Sequence, residues 1–147
     1  MRHMAWILIL FGCSSLGLAQ DLNCVDVGVF ESKLPVYPPI ARAAHMQGVF
    51  RFTVVVHPDG HSDAAFLDGP NKGMLQVFIA SSREFIESRR YGWATGGEHK
   101  TCTYIAEVEY RMLAEEVDSP NNFLRVTDID LGHTLVEVKT TKPTVNY

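Results

Sequence analysis

The segment from Val49 to Leu67 restricts the possible folds more than any other part of the chain. Apolar and polar residues alternate over 49–57, a period of two that is typical of a strand with one buried face. Pro58-Asp59-Gly60 follows, and its glycine can adopt the positive φ that a tight turn requires. Because the extended pattern resumes over 61–67, the sequence predicts a β-hairpin over 49–67.

Two helices are predicted, one on either side of this hairpin. Pro39 suits the first turn of a helix, because its missing N–H costs nothing there. A short helix is therefore predicted over 40–46, ended by Gly48. A longer helix is predicted from Met74 to about Arg90, where apolar residues recur at helical spacing and charged residues occupy the other face.

Further strands are predicted in the C-terminal third of the chain. The alternation returns over 101–112 and predicts a long strand. The segments 123–129 and 134–141 flank Asp130-Leu131-Gly132-His133, which predicts a second, smaller hairpin. The segments without a predicted element are an irregular lead-in at 20–34, a polar stretch at 114–122 and a frayed tail at 142–147.

Composition excludes several classes of protein. A length of 147 residues predicts one domain, and a hydrophobic fraction of 46% excludes an intrinsically disordered chain. The chain has 13 Lys and Arg against 17 Asp and Glu, which gives a net charge of −4. Without an excess of cations, generic binding to nucleic acid or to an anionic lipid surface is not expected.

Residues 1–19 predict a secretory signal peptide. Arg2 supplies the positive start, an apolar stretch follows at 5–11, and small residues precede a cut before Gln20. The apolar stretch is shorter than the roughly 20 residues of a spanning helix. Two alternatives stay open: an uncleaved short anchor, and a lipid on Cys13, because Leu10-Phe11-Gly12-Cys13 resembles a bacterial lipobox.

Two cysteines, Cys24 and Cys102, are left after such a signal, and an even pair in an exported chain predicts a disulfide. The bridge would close a loop of about 78 residues. In the chain-entropy description, such a loop is worth about 4 kcal/mol. Two free thiols are the alternative, since the spacing does not fit a zinc site.

Motifs for catalysis, cofactors and metals were not found. The sequence has no Gly-x-Ser-x-Gly elbow, no Cys-x-x-Cys pair and no phosphate-binding glycine loop with its lysine. His57, Asp59 and His61 lie close together, but two histidines lack the third ligand that a metal normally needs, and a polar turn explains them. The sequence predicts a protein without enzymatic activity, cofactor or bound metal.

One string of residues carries a family resemblance. Tyr37-Pro38-Pro39-Ile40-Ala41-Arg42 precedes Gly48, the alternating strand and Pro58-Asp59-Gly60. With the helix and strand predicted at 74–112, this pattern resembles the C-terminal domain of the TonB energy transducer family over residues 35–112. The resemblance implies an α+β fold of two layers, in which two helices pack on a three-stranded antiparallel sheet. Here an extra C-terminal β-hairpin would follow, in an extension at 113–147.

The resemblance also implies a function. In transducers, this domain crosses the periplasm and pairs by strand addition with a short peptide of an outer-membrane receptor, passing on force from an inner-membrane motor. The chain is therefore predicted to be a periplasmic protein–protein interaction module. It would bind an extended peptide of an envelope protein, or a copy of itself. The alternatives are an anchored energy-transducer component and an exported hydrolase or small-ligand-binding protein.

The predicted docking edge is the strand over 103–111, whose unpaired main-chain groups would accept an extended peptide. Each element of this prediction has an alternative. Tyr37 could pack in the core, the charged side chains could be merely solvated, and the C-terminal hairpin could cap the edge. Unlike the family, which usually has Trp and a following Pro near the end of the long helix, the chain has Arg89-Arg90-Tyr91-Gly92-Trp93. An arginine stands where an apolar anchor is expected, and Trp93 could fill that pocket from a shifted position. The predicted partner-binding residues are Tyr37, Pro38, Thr103, Ile105, Glu107, Glu109 and Arg111.

Overall fold

A computed structural model describes residues 23–94, 96–117 and 124–141, with side chains over 23–94, 96–113 and 124–139. The predicted signal segment, including Cys13, and the predicted frayed tail lie outside the described residues. The described chain forms one five-stranded sheet, one two-stranded sheet and two α-helices. The elements are β1 (Val27–Glu31), α1 (Pro39–Ala43), β2 (Gly48–Val56), β3 (Ser62–Asp68), α2 (Gln76–Ser88), β4 (Arg90–Trp93), β5 (Cys102–Val117), β6 (Leu124–Asp130) and β7 (His133–Thr141).

The first predicted hairpin is formed by β2 and β3, which pair antiparallel from Val56 opposite Ser62 outward. The turn depends on Gly60, whose φ is +85° and whose main-chain oxygen accepts the Tyr91 N–H at 3.0 Å. A Cβ at this position would lie 2.6 Å from the Tyr91 main-chain oxygen. Glycine is therefore required both for the turn and for its close contact with β4.

Both predicted helices are present, with shorter bounds than expected. Pro39 begins α1 as predicted, but the helix ends at Ala43, and Gly48 is the first residue of β2 instead of the helix cap. The left-handed residue after the helix is His45, with φ +54°. A 3₁₀ turn precedes α2, whose buried face packs on the apolar face of β2 and consists of Phe78, Ser82, Phe85 and Ile86.

The α+β class is confirmed, but the sheet differs from the predicted three antiparallel strands with an extra hairpin. The strand order is β3-β2-β5-β7-β6, so the C-terminal hairpin extends the same sheet. β7 runs parallel to β5, from Glu107 opposite His133 onward. The physical reason is burial: Val136 and Val138 continue the apolar face of β5 beside Tyr110 and Met112, and both valines are buried.

The lead-in at 20–34 is not irregular, which is a second correction. Its residues Val27–Glu31 form β1, which pairs antiparallel with β4. The predicted disulfide between Cys24 and Cys102 is present, with a Cα–Cα distance of 5.0 Å, and it ties the start of this segment to β5. Neither helix among the described residues is long and apolar enough to span a membrane.

Candidate functional site

Tyr37 and Pro38, two of the predicted partner-binding residues, are buried. The Tyr37 hydroxyl donates a hydrogen bond to the Met46 main-chain oxygen. Its ring makes edge-to-face contacts with Phe78 and Tyr110, at centroid distances of 5.5 and 5.4 Å. Burial and the neighbouring Tyr110 raise the pKa of the Tyr37 hydroxyl to about 12. The side chain of Tyr37 is thus a core residue that fixes the entry to α1.

Of the two alternatives for the edge along Thr103–Arg111, the structure shows the edge capped by the C-terminal hairpin and not the open edge. At the start of the strand, the Thr103 N–H donates to Asn23 Oδ1 at 2.9 Å, and the Thr103 main-chain oxygen accepts from the Asn23 N–H at 3.1 Å. Further along, β7 pairs with β5, and the Glu107 N–H donates to the Gly132 main-chain oxygen at 2.6 Å. The chain's own lead-in and hairpin therefore lie where a partner strand was expected.

The side chains of the predicted edge, at every second residue from Thr103 to Arg111, all lie on the sheet face opposite Tyr37. The structure therefore does not bring these side chains together with Tyr37 and Pro38. Glu107 and Glu109 instead join a row of charges on this outer face. Arg51 Nε lies 2.8 Å from Glu107 Oε2, and Arg111 lies 2.5 Å from Glu109. His133 Nε2 stands between the two carboxylates, at 3.7 and 3.5 Å. These side chains already have charged neighbours within the chain.

Arg89 holds the C-terminal hairpin to the end of α2. The residue is only 2% exposed, and its guanidinium lies 4.6 Å above the Phe85 ring. One terminal nitrogen donates to Thr134 Oγ1 at 2.6 Å and to Asp128 Oδ1 at 3.0 Å, and the other donates to the Leu131 main-chain oxygen at 3.2 Å. Arg89 itself, rather than Trp93, is therefore buried at this position. Trp93 stacks on His99.

The electrostatics around Arg89 favour its charged form. Burial opposes the charge, yet the hydroxyls of Tyr104 and Tyr91 and the Asp128 carboxylate keep the pKa of the guanidinium above its ordinary value. The two tyrosine hydroxyls are 2.6 Å apart. Burial and the neighbouring Tyr91 raise the pKa of Tyr104. A buried charge with these partners joins four parts of the fold: α2, β4, β5 and the hairpin.

A groove of about 380 Å³ lies next to Arg89, between the two sheets. One wall is the run from Val27 to Ser32, which is β1 with the residue after it. The other wall is the end of β6 and its turn, with Asp128, Asp130 and Leu131. Each strand pairs on one side only among the described residues, β1 with β4 and β6 with β7. The groove is therefore lined by residues of two strands that each have one unpaired edge.

Sequence reasoning missed this groove, although one signal was available. Asp128 lies on the same strand face as Leu124 and Val126, and a charge on an apolar face indicates a buried partner. Arg89, an arginine in place of an apolar anchor, is that partner. No comparable signal exists for β1, because Val-Gly-Val-Phe-Glu is too short for its periodicity to be informative.

The histidines of the first turn have carboxylate neighbours. His57 Nε2 lies 2.7 Å from Asp63 Oδ2, and His61 Nδ1 lies 3.2 Å from Asp59 Oδ2. Within the part of the chain that the structure describes, no group of three or more His, Cys, Asp or Glu residues is arranged to hold a metal ion.

The fold has a counterpart among solved structures. The solution NMR structure of the Pseudomonas aeruginosa TonB C-terminal domain superposes with a TM-score of 0.51, over 60% of this chain and 88% of that chain, at 21% sequence identity. No family model and no curated protein matches the chain. The described chain thus has a fold like that of the TonB C-terminal domain, which supports the resemblance stated above at the level of the fold.

Proposed function

We propose that the chain is a TonB-like protein–protein interaction module of the periplasm, which binds an extended segment of another envelope protein by strand addition. One observation carries this proposal: β6 forms the outer border of the five-stranded sheet, and no strand pairs with its outer side among residues 23–94, 96–117 and 124–141. An exposed strand edge offers main-chain donors and acceptors to a visiting strand. No catalytic step is needed.

Exposed side chains along β6 support this border as the docking edge. Ile129 is 56% exposed and Leu124 is 36% exposed, so apolar contact area is available beside the main-chain groups. Arg125 is held to Glu137 at 2.6 Å on the outer face. A visiting strand would therefore bury apolar side chains without first breaking a core contact.

Binding at β5 is the second candidate, and it keeps the predicted roles of Thr103, Ile105, Glu107, Glu109 and Arg111. The observation in its favour is that β5 already accepts a parallel strand, β7. A partner would have to displace β7 and expose Val136 and Val138, which are buried. Each exposed valine would cost about 1.5–3 kcal/mol. Because β6 needs no such exchange, it is the favoured edge.

The fold similarity supports an envelope protein as the class of partner. A segment of an outer-membrane receptor is the first candidate, and participation in TonB-dependent transport would follow from it. A second copy of the chain is another candidate, because two exposed edges can pair with each other. A chain retained by its N-terminus could act as a component of an energy transducer, whereas a released chain would act as a periplasmic adaptor.

Photo-crosslinking from the strand edges in intact cells tests the proposal. A benzoylphenylalanine at Ile129 on β6 is expected to capture an envelope protein. The same group at Leu67 on β3, the other border strand of the sheet, serves as the matched control. It is expected to capture nothing, because the Ala64 N–H of β3 already donates to Glu87 of α2 at 3.2 Å. Mass spectrometry then gives the captured segment of the partner.

The captured segment is next prepared as a synthetic peptide. It is expected to slow hydrogen exchange of the amides over 124–130, and N-methylation of its alternate residues is expected to abolish binding, because main-chain pairing would be lost. Equal capture from both positions, or unchanged binding after N-methylation, would contradict strand addition at β6.

A cross-linked variant separates the second candidate from the first. Glu109 and Leu135 are neighbours across β5 and β7, so Glu109→Cys with Leu135→Cys can hold the hairpin in place. Binding at β6 is expected to be unchanged in this variant, and Leu135→Cys alone is the control. Loss of binding only in the cross-linked protein would move the site to β5.

A further inference from the structure

We propose that the groove between β1 and the end of β6 is a docking site for an extended peptide that carries a lysine or arginine side chain. This inference rests on the proposed function and deepens it, because the peptide that pairs with β6 would also lie against β1. Residues of β1 and of the end of β6 line the groove, and each of these strands has one unpaired edge among the described residues. A strand placed between them would join the two sheets through main-chain hydrogen bonds.

The β1 wall is an unusual surface for a chain without a partner. Phe30 is 71% exposed and Val29 is 37% exposed, and the apolar residues Leu34 and Val36 continue the exposed row beyond the strand. A Cβ at Gly28 would meet no atom within 4 Å, so the strand is open there. An exposed apolar strand edge of this kind marks an interaction surface or an aggregation hazard.

The charges in the groove favour a cation. Three carboxylates line it, those of Glu31, Asp128 and Asp130, against one guanidinium, that of Arg89. Asp128 is already paired with Arg89 at 3.0 Å. Glu31 lies opposite Arg90 across β1 and β4, but neither Glu31 nor Asp130 forms an ion pair with a described residue. Both carboxylates are therefore available to a cation of the peptide. A lysine or arginine of the bound peptide would complement them, whereas an acidic side chain would be repelled.

The groove is held in place before any peptide arrives. The Cys24–Cys102 disulfide and the Asn23–Thr103 main-chain contact fix the start of the β1 segment on β5. Arg89 fixes the opposite wall through Asp128 and Leu131. A preformed site loses less conformational entropy on binding. A volume of about 380 Å³ suits a few residues of an extended chain rather than a folded domain.

Binding of three synthetic peptides to the purified protein tests the charge preference. The first is a short acetylated and amidated peptide in which threonine and valine alternate around one central lysine. In the other two, glutamine or glutamate replaces the lysine. We expect the lysine peptide to bind about five- to tenfold more tightly than the glutamine peptide at low salt, and the glutamate peptide to bind most weakly. High salt should reduce the difference.

Neutral variants assign this preference to the groove. Glu31→Gln together with Asp130→Asn removes both of these charges, while the amide oxygen introduced by Asp130→Asn can still accept the Gly132 N–H that Asp130 accepts at 2.7 Å. We expect this double variant to bind the lysine and glutamine peptides equally. Glu98→Gln, an exposed carboxylate outside the groove, is the matched control and should keep the preference.

Each other outcome overturns the inference. Equal binding of the three peptides to the unaltered protein, no binding of any of them, or a preference that survives the double variant would each exclude a cation-selective groove. None of these results decides whether β6 captures a partner, since that proposal depends on crosslinking from Ile129. The two failures are therefore distinguishable.

Discussion

In β5 and β1, the observed strand edges are the reverse of those that the sequence predicts. β5 has a long, regular alternation and was expected to offer an open edge, but β7 and Asn23 occupy its outer side. β1 lies in a segment without any predicted structure, yet it is an exposed strand that borders a groove. Alternation therefore identifies the two faces of a strand, whereas the pairing of its edges depends on segments elsewhere in the chain.

The burial of the two regions explains why one is closed and the other open. The outer neighbour of β5 brings Val136 and Val138 into the core, so pairing on that side is coupled to hydrophobic burial. β1 buries little, since four of its five residues are exposed, and the disulfide at Cys24 holds it near the sheet. The following experiments test this difference between β5 and β1.

The largest effect is expected from removal of the disulfide. Cys24→Ser with Cys102→Ser should lower the free energy of unfolding by about 4 kcal/mol, because the closed loop spans 78 residues. Urea denaturation measures the loss. Hydrogen exchange should accelerate over 27–31 more than over 107–113, since only β1 depends on this attachment. Equal stability with and without the bridge would remove it from the account.

The next effect concerns Arg89, which joins the hairpin to α2. Arg89→Ala should destabilise the protein by about 3 kcal/mol, because packing on Phe85 and three short hydrogen bonds are lost. Arg90→Ala is the matched control, since Arg90 donates only to main-chain oxygens of its own turn, and it should cost less than about 1 kcal/mol. Equal losses would show that Arg89 does not hold the hairpin.

Alkaline pH gives a third, gradual effect. Burial raises the pKa of Tyr37, Tyr104 and Tyr110, so above about pH 10 the unfolded chain loses hydroxyl protons that the folded chain retains. The stability that these protonated hydroxyls contribute is fully present below pH 10 and decreases as the pH rises. For Tyr37 it is lost as the pH passes the raised pKa of about 12. Tyrosinate absorbance should rise together with unfolding followed by circular dichroism. Ionisation of Tyr110 in the folded protein, with Tyr110→Phe to assign it, would indicate that the core between α2 and β5 is open, because the Tyr110 hydroxyl is bonded to Ser82 of α2.

The smallest effect is expected on the outer face of β5. Glu107→Gln should change the free energy of unfolding by less than about 1 kcal/mol, because the ion pair with Arg51 is partly exposed, and high salt should reduce the change. Partner binding should not change. A loss of binding without a loss of stability would restore Glu107 to the interface and favour the β5 candidate.

The sequence predicted the local structure well where periodicity was long. The β2–β3 hairpin, α2 and the C-terminal hairpin were all predicted within a few residues of their observed bounds. The disulfide followed from an even pair of cysteines in a chain that is predicted to be exported. The sequence left open whether the C-terminal hairpin caps β5. The parallel pairing of β7 with β5 could not be predicted, because it depends on the match of apolar faces that lie far apart in the sequence.

The candidate site was less predictable than the fold. Tyr37 was singled out from a motif, but its contacts with Phe78 and Tyr110 are those of a core residue. The sequence marks the arginine pair at 89–90 as unusual, but it does not identify the partners of Arg89, which lie about 40 residues later in the chain. A long-range polar contact of this kind is visible in the sequence only as a charged residue where an apolar one is expected. The charged residue does not identify its partner.

Hydrogen exchange of the Glu107 amide, measured by NMR on the full chain, tests the central claim most directly. This N–H points away from β2 and donates to the Gly132 main-chain oxygen at 2.6 Å, so it is protected only while the hairpin is docked. We expect it to exchange as slowly as amides that join β2 and β5, through opening of the whole fold. Rapid exchange of Glu107 beside protected β2–β5 amides would contradict a closed β5 border.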